Sequence, residues 1–178
     1  GATRRYGGTT RSILLRFARI LAPMLAPTPA LDFADFLKLG VSLMAATRDE
    51  RMVVELVRCA AARVQPDGRV FVAVPMPEGV RTLSNIERTG MIALSAALPT
   101  NYRTLQLKGC DAVAVEWAEM EQVSSKHRAL FVESLVQIGW PSAYSAAFWS
   151  NTCRAIGFSV RDAFDQTPGP GAGLLVAS

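Results

Sequence analysis

The sequence is poor in the residues that build metal centres and disulfide frameworks. One histidine, His127, and three cysteines, Cys59, Cys110 and Cys153, stand among 178 residues. A Ser-His-Asp, Cys-His or His-rich metal site would have to rest on His127 alone. It lies in SSKHRALFVESL, which reads as a helix with a solvated face, so His127 is expected at the surface and no metal site is expected. The cysteines are odd in number, far apart and without C-x-x-C, which argues against disulfides and zinc and points to a reducing cytoplasm. No stretch has the roughly 18 uninterrupted apolar residues of a membrane span. The G-x-G-x-x-G of a Rossmann site is absent too, so a nicotinamide would have to bind transiently, without such a site.

Acidic residues are missing from one region in particular. Residues 1–31 hold five arginines (Arg4, Arg5, Arg11, Arg16, Arg19) and no Asp or Glu, leaving 14 of the 19 basic residues against all 15 acidic ones in the remainder. The net charge of +4 therefore belongs to an arm, not to a folded basic face, and nucleic acid is not the expected partner. Residues 12–25 have helical spacing interrupted by Arg16 and Arg19, unlike the apolar core of a signal peptide. A helix packed on the domain or on a partner subunit is expected, with a membrane-surface helix as the alternative. Pro23, Pro27 and Pro29 punctuate a linker. The expected organisation is an arm over 1–31 and one domain over 32–178.

What is abundant is apolar residues, at 50%, arranged as short runs between turns. A short helix over 32–39, stopped by Gly40, precedes strands over 41–49 and 52–64. Gln65-Pro66-Asp67-Gly68 is a turn by mechanism, since Pro presets φ and Gly admits positive φ, so 69–76 returns as a hairpin strand. A helix over 80–90, strands over 91–98 and 102–118, helices over 124–139 and 142–151, and a last strand over 154–165 follow. QTPGPGAG (166–173) alternates Pro and Gly and excludes regular structure. Strands joined by tight turns predict a mainly antiparallel β fold with peripheral helices, closed as a barrel.

Several residues suggest an anion site. Arg81 and Thr82 open the helix after Gly79, where free N–H groups and the helix dipole favour negative charge. Arg58 sits in an apolar strand and must be paired, with Glu55 or Asp111, or bind something. Gln106 and Lys108 share one face of a strand, and Tyr102 beside the preceding turn can stack on a ring. Each residue also has an ordinary structural explanation, as a paired or solvated side chain, so composition and spacing stop at an anion.

From about Val41 to Val115 the order of pieces resembles the pyridoxamine 5′-phosphate oxidase-like family of FMN-binding split barrels. The residues that carry it are VSLMAATRD, the strand with Arg58, PDGRVFVAV, RTLSNIERTGMIALSAA and YRTLQLKGCDAVAV. The resemblance implies an antiparallel split β-barrel with flanking helices and a homodimer with FMN at its interface. It implies Arg58 and Arg81, with Thr82, near the phosphate, and Tyr102, Gln106 and Lys108 near the ring. A base such as Lys108 at the flavin edge would stabilise the reduced ring. The implied activity is flavin-dependent oxidoreduction of a small molecule. A non-catalytic flavin, deazaflavin or haem carrier, or a structural dimer without cofactor, is the alternative. Glu55 replaces a frequent proline, Thr82 and Leu83 replace a second basic residue, and QTPGPGAGLLVAS replaces the arginine-rich ending of the true oxidases. Vitamin B6 oxidation is therefore not implied.

Overall fold

The computed structural model describes residues 33–141, 143 and 152–177. The expected helices over 12–25 and 142–151 lie outside the described residues, apart from the isolated residue 143. Helix α1 (Phe33–Phe36) leads into β1 (Ser42–Arg48), β2 (Val54–Arg58), β3 (Ala61–Val64) and β4 (Val70–Pro75). Helix α2 (Val80–Thr89), β5 (Ile92–Ala97), β6 (Thr104–Gly109) and β7 (Val113–Val115) follow. Helix α3 (Met120–Gln137), β8 (Cys153–Phe158), β9 (Asp162–Asp165) and β10 (Leu174–Ala177) complete the order.

The strands form two antiparallel sheets, ordered β10-β9-β6-β5-β1-β2 and β3-β4-β8-β7. The mainly β class and the antiparallel arrangement are as expected. Three of the expected long strands are in fact pairs. The run over 52–64 breaks at Cys59-Ala60, the run over 102–118 at Cys110–Ala112, and the run over 154–165 at Ser159–Arg161. At each break the chain leaves one sheet and enters the other, so the barrel is split. Backbone hydrogen bonds show the transfer: Cys59 N–H donates to Leu43 O in β1 (2.9 Å), and Ala60 N–H donates to Ala73 O in β4 (2.8 Å). These two bonds satisfy the backbone donors at the break. The tail also ends in β10, a strand the Pro/Gly pattern did not announce; Gly173 N–H donates to Asp165 O at its start (2.7 Å).

The core lies between the sheets. Strict alternation puts Leu43 and Ala45, Leu94 and Ala96, and Leu105 and Leu107 inward from the six-stranded sheet, against Val70, Val72, Ile156 and Phe158 of the other. Strand β4 is buried almost continuously because its sheet is covered on both faces. Ala61, Ala73 and Ala155 point the other way, toward Trp117, with Met120 and Val123 of α3 packed alongside. The six-stranded sheet differs: no helix among the described residues packs extensively on β5, β6 or β9.

Helix α3 is anchored through one tight approach. Gly40 has φ +55, and a Cβ built on it would stand 2.7 Å from Phe131 N in the helix backbone. Both the left-handed conformation and the overlap select glycine. Gly40→Ala is expected to lower the stability of the domain by more than about 2 kcal/mol, read from the urea midpoint at constant slope.

Candidate functional site

Strand alternation divides the expected site residues. On β2, Leu56 and Arg58 point to the outer face of the six-stranded sheet, while Glu55 and Val57 point the opposite way. The half-buried Arg58 guanidinium donates to Ser42 Oγ (3.3 Å) and lies 5.9 Å from the Phe131 ring. Glu55 pairs instead with Arg81, whose Nε lies 3.3 Å from Glu55 Oε2. From the sequence, Arg58 has either to pair with Glu55 or Asp111 or to bind something. Glu55 pairs with Arg81, and Asp111 Oδ1 accepts from Ser159 N–H (2.9 Å) across a corner between sheets. Arg81 is mostly exposed and begins α2, on the other side of β2 from Arg58.

Thr82 is fully buried, at 0% exposure, and its Oγ1 has no hydrogen-bond partner. Its neighbour on the helix face, Asn85, donates from Nδ2 to Thr47 Oγ1 (3.2 Å), so α2 closes one end of the barrel with buried polar side chains. The Thr82 hydroxyl therefore faces the interior. Thr82→Val keeps the shape and removes an unsatisfied polar atom, so a gain in stability of about 1 kcal/mol is expected in urea unfolding. A loss would show that the hydroxyl has a bonded partner in solution.

The outer face of the six-stranded sheet brings together most of the rest. Backbone register places Arg58 beside Met44, Met44 beside Ser95, Ser95 beside Gln106, and Gln106 beside Phe164. The next row runs Leu56, Ala46, Ala93, Lys108 and Asp162. Gln106 and Arg58 thus share a face, three strands or about 14 Å apart. Alanine and serine dominate the middle strands, which leaves the face flat there. Lys108 Nζ sits 4.5 Å from the centre of the Phe164 ring, a cation–π contact that holds it over the sheet.

Two cavities open on this face. One, of about 330 Å³, includes Ser42, Arg58, Ala97, Tyr102, Phe131 and Trp140 in its lining. Among the described residues it combines three aromatic rings with one guanidinium, a setting suited to a planar ligand carrying negative charge. Tyr102 reaches it from a left-handed backbone position (φ 60) at the end of the β5–β6 turn. The other, of about 210 Å³, is lined by Lys108 together with Arg48 and Arg161. Arg58 and Tyr102 are therefore together, Lys108 and Gln106 lie elsewhere on the same face, and Arg81 and Thr82 belong to α2.

Phe131 and Trp140 were missed because they come from α3 and its exit, which only the tertiary fold brings over β1. Arg48 was legible in principle, two residues beyond Ala46 on the same face. Arg161 was hidden by reading 154–165 as one strand.

The lone histidine is not at the surface. His127 is 5% exposed, and its Nε2 donates to Val41 O at 2.8 Å, because a carbonyl only accepts. Burial with Phe131 and Ser134 on one face of α3 explains the correction; Ser125 and Lys126 just before it are exposed. Burial holds the imidazole below its ordinary pKa, and the bond to Val41 opposes this more weakly. The unfolded chain takes up a proton near pH about 6.5 while the folded one resists to lower pH. This contribution to stability is full above that range and declines as pH falls below it. The wild type should lose stability between pH 7 and pH 5 more steeply than His127→Gln, in urea titrations at each pH. Burial also pushes the Cys59 thiol up to about 12, so it is no thiolate nucleophile. Among the described residues no cluster of His, Cys, Asp and Glu is arranged to hold a metal, and no helix is long and apolar enough to cross a membrane.

Comparison with solved structures finds similar architectures at low identity. The HupZ protein of Group A Streptococcus is 16% identical, with a TM-score of 0.49 over 79% of this chain and 95% of that one. An FMN-binding protein from Syntrophomonas wolfei is 13% identical, with a TM-score of 0.43 over 86% and 95% of the two chains. HutZ, the heme storage protein from Vibrio cholerae, is 13% identical, with a TM-score of 0.43 over 74% and 89%. No family model and no curated protein matches the chain.

Proposed function

We propose that this chain binds FMN on the outer face of its six-stranded sheet and acts as a flavin-dependent oxidoreductase on a small-molecule substrate. The observation that carries the reading is the register row from Arg58 through Met44 and Ser95 to Gln106, with the aromatic cavity at its arginine end. The flat middle of the face accepts a planar ring, and Arg58 supplies charge for the phosphate. Tyr102 and Gln106 offer stacking and hydrogen bonding, and Lys108 adds a cation near the ring. Arg81 contributes only by exchanging its bond to Glu55, and Thr82 does not fit as a phosphate contact because its hydroxyl is enclosed. When bound, FMN supplies the hydride or electron transfer, while the protein binds, orients and tunes it.

A homodimer in the cytoplasm completes the proposal. Val54 and Leu56 are exposed on edge strand β2, beside the half-buried apolar face, and a second chain would cover them. Haem is less well supported, since the Nε2 of His127 is committed to Val41 inside the domain.

The visible spectrum of the purified protein is the direct test. A flavin spectrum, with FMN released on heating, is expected; a colourless protein that refuses added FMN would defeat the reading. Arg58→Ala should weaken FMN binding about ten-fold or more, because a charge-assisted contact is lost. Turnover with NADH distinguishes an enzyme from a flavin carrier.

A further inference from the structure

Of the three cations in the cavity at the far end of the outer face, the flavin reading uses Lys108 alone. Arg48 at the end of β1, Lys108 near the end of β6 and Arg161 at the β8–β9 corner line it together. Its floor is apolar, with Ala46 and Ala93 standing between Arg48 and Lys108 where larger side chains would fill the space. Arg48 lies four residues from Met44, the register partner of Arg58, so about 13 Å of strand separates the two ends. The backbone fixes the third cation as well, since Arg161 N–H donates to Lys108 O (2.8 Å).

The nearby carboxylates are committed. Asp49 Oδ1 accepts from the N–H groups of Arg51 and Val53 and so holds the β1–β2 turn. Asp162 Oδ2 accepts from Arg161 at 2.7 Å, which leaves that guanidinium further donors. Arg48 donates to Asp49 O, and Lys108 rests on the Phe164 ring; neither forms an ion pair among the described residues. Asp162 offsets the charge of Arg161 in part, and Arg48 and Lys108 add two further positive groups to one small apolar hollow, so an anion there is favoured. Two arginines and a lysine are also the donor set that suits a multiply charged oxyanion, forks for its edges and a point charge for its centre.

We propose that Arg48, Lys108 and Arg161 form a binding site for the phosphate group of a small ligand, separate from the Arg58 cavity. The inference does not rest on the flavin reading. If a flavin does lie on the face, this site lies beside Lys108 and receives the anionic end of a second ligand.

The test is a calorimetric titration of the full chain as purified with inorganic phosphate at constant ionic strength. Saturable binding is expected, and Arg48→Gln and Arg161→Gln should each weaken it about five-fold or more, while Arg58→Gln leaves it unchanged. In the unsubstituted protein, amide resonances of Ala46, Ala93 and Gly109 should shift with the same saturation curve. Absence of saturable binding, equal binding of chloride, or loss of binding in Arg58→Gln alone would each overturn the proposal. The amide shifts at Ala46, Ala93 and Gly109 report this site whether or not the purified protein carries flavin, which its spectrum reports separately.

Discussion

The two hydrogen bonds at Cys59 and Ala60 are the constraint on which the fold turns. Consecutive residues donate into different sheets, to Leu43 in one and Ala73 in the other. A strand can change sheets only where its backbone groups find partners on both sides of the bend. Once β2 and β3 are divided there, β1 and β5 are committed to one sheet and β4 and β8 to the other. Backbone donors find partners at the other two corners by different routes: Ala112 N–H donates to Gly90 O (3.0 Å), Ser159 N–H to Asp111 Oδ1 (2.9 Å) and Arg161 N–H to Lys108 O (2.8 Å). Apolar side chains between the two sheets then close a single core, while the corners project side chains that regular strands would not.

That division also explains why function is read on one sheet. The four-stranded sheet has its outer face covered by Trp117 and α3, so its strands carry small apolar residues on both sides. The six-stranded sheet keeps an outer face of alanine, serine and methionine with charged and aromatic residues around it. Among the described residues, cavities of different chemistry open there, one aromatic with a single guanidinium and one apolar with three cations. The difference follows from what flanks the face. Helix α3 brings Phe131 and Trp140 over the Ser42 end, and the strand ends and the β8–β9 corner bring Arg48, Lys108 and Arg161 to the other.

Buried polar groups are concentrated in α2 and α3. Thr47, Thr82 and Asn85 close one end of the barrel, and His127 ties α3 to Val41. These groups orient helices against strands. His127 illustrates the cost of judging a residue by its neighbours in sequence. Ser125, Lys126 and Arg128 suggested a wet face, but a helix presents residues four apart together, and His127 belongs with Phe131.

The sequence by itself determined the class of fold, the hairpin turn at Pro66–Gly68, the helix opening at Val80 and the pairing of Gln106 with Lys108 on one face. Those features depend on local chemistry: turn geometry, a period of two, and residues that stop helices. The tertiary structure alone decided which arginine meets which carboxylate and which cations share a cavity. Glu55 lies three residues from Arg58, yet strand alternation turns them apart and α2 delivers Arg81 to Glu55 instead. Arg48, Lys108 and Arg161 are scattered over more than half of the chain, and only the register of β1, β5, β6 and β9 brings them together. Long-range register is set by how the two sheets pack, and a single sequence carries no local mark of it.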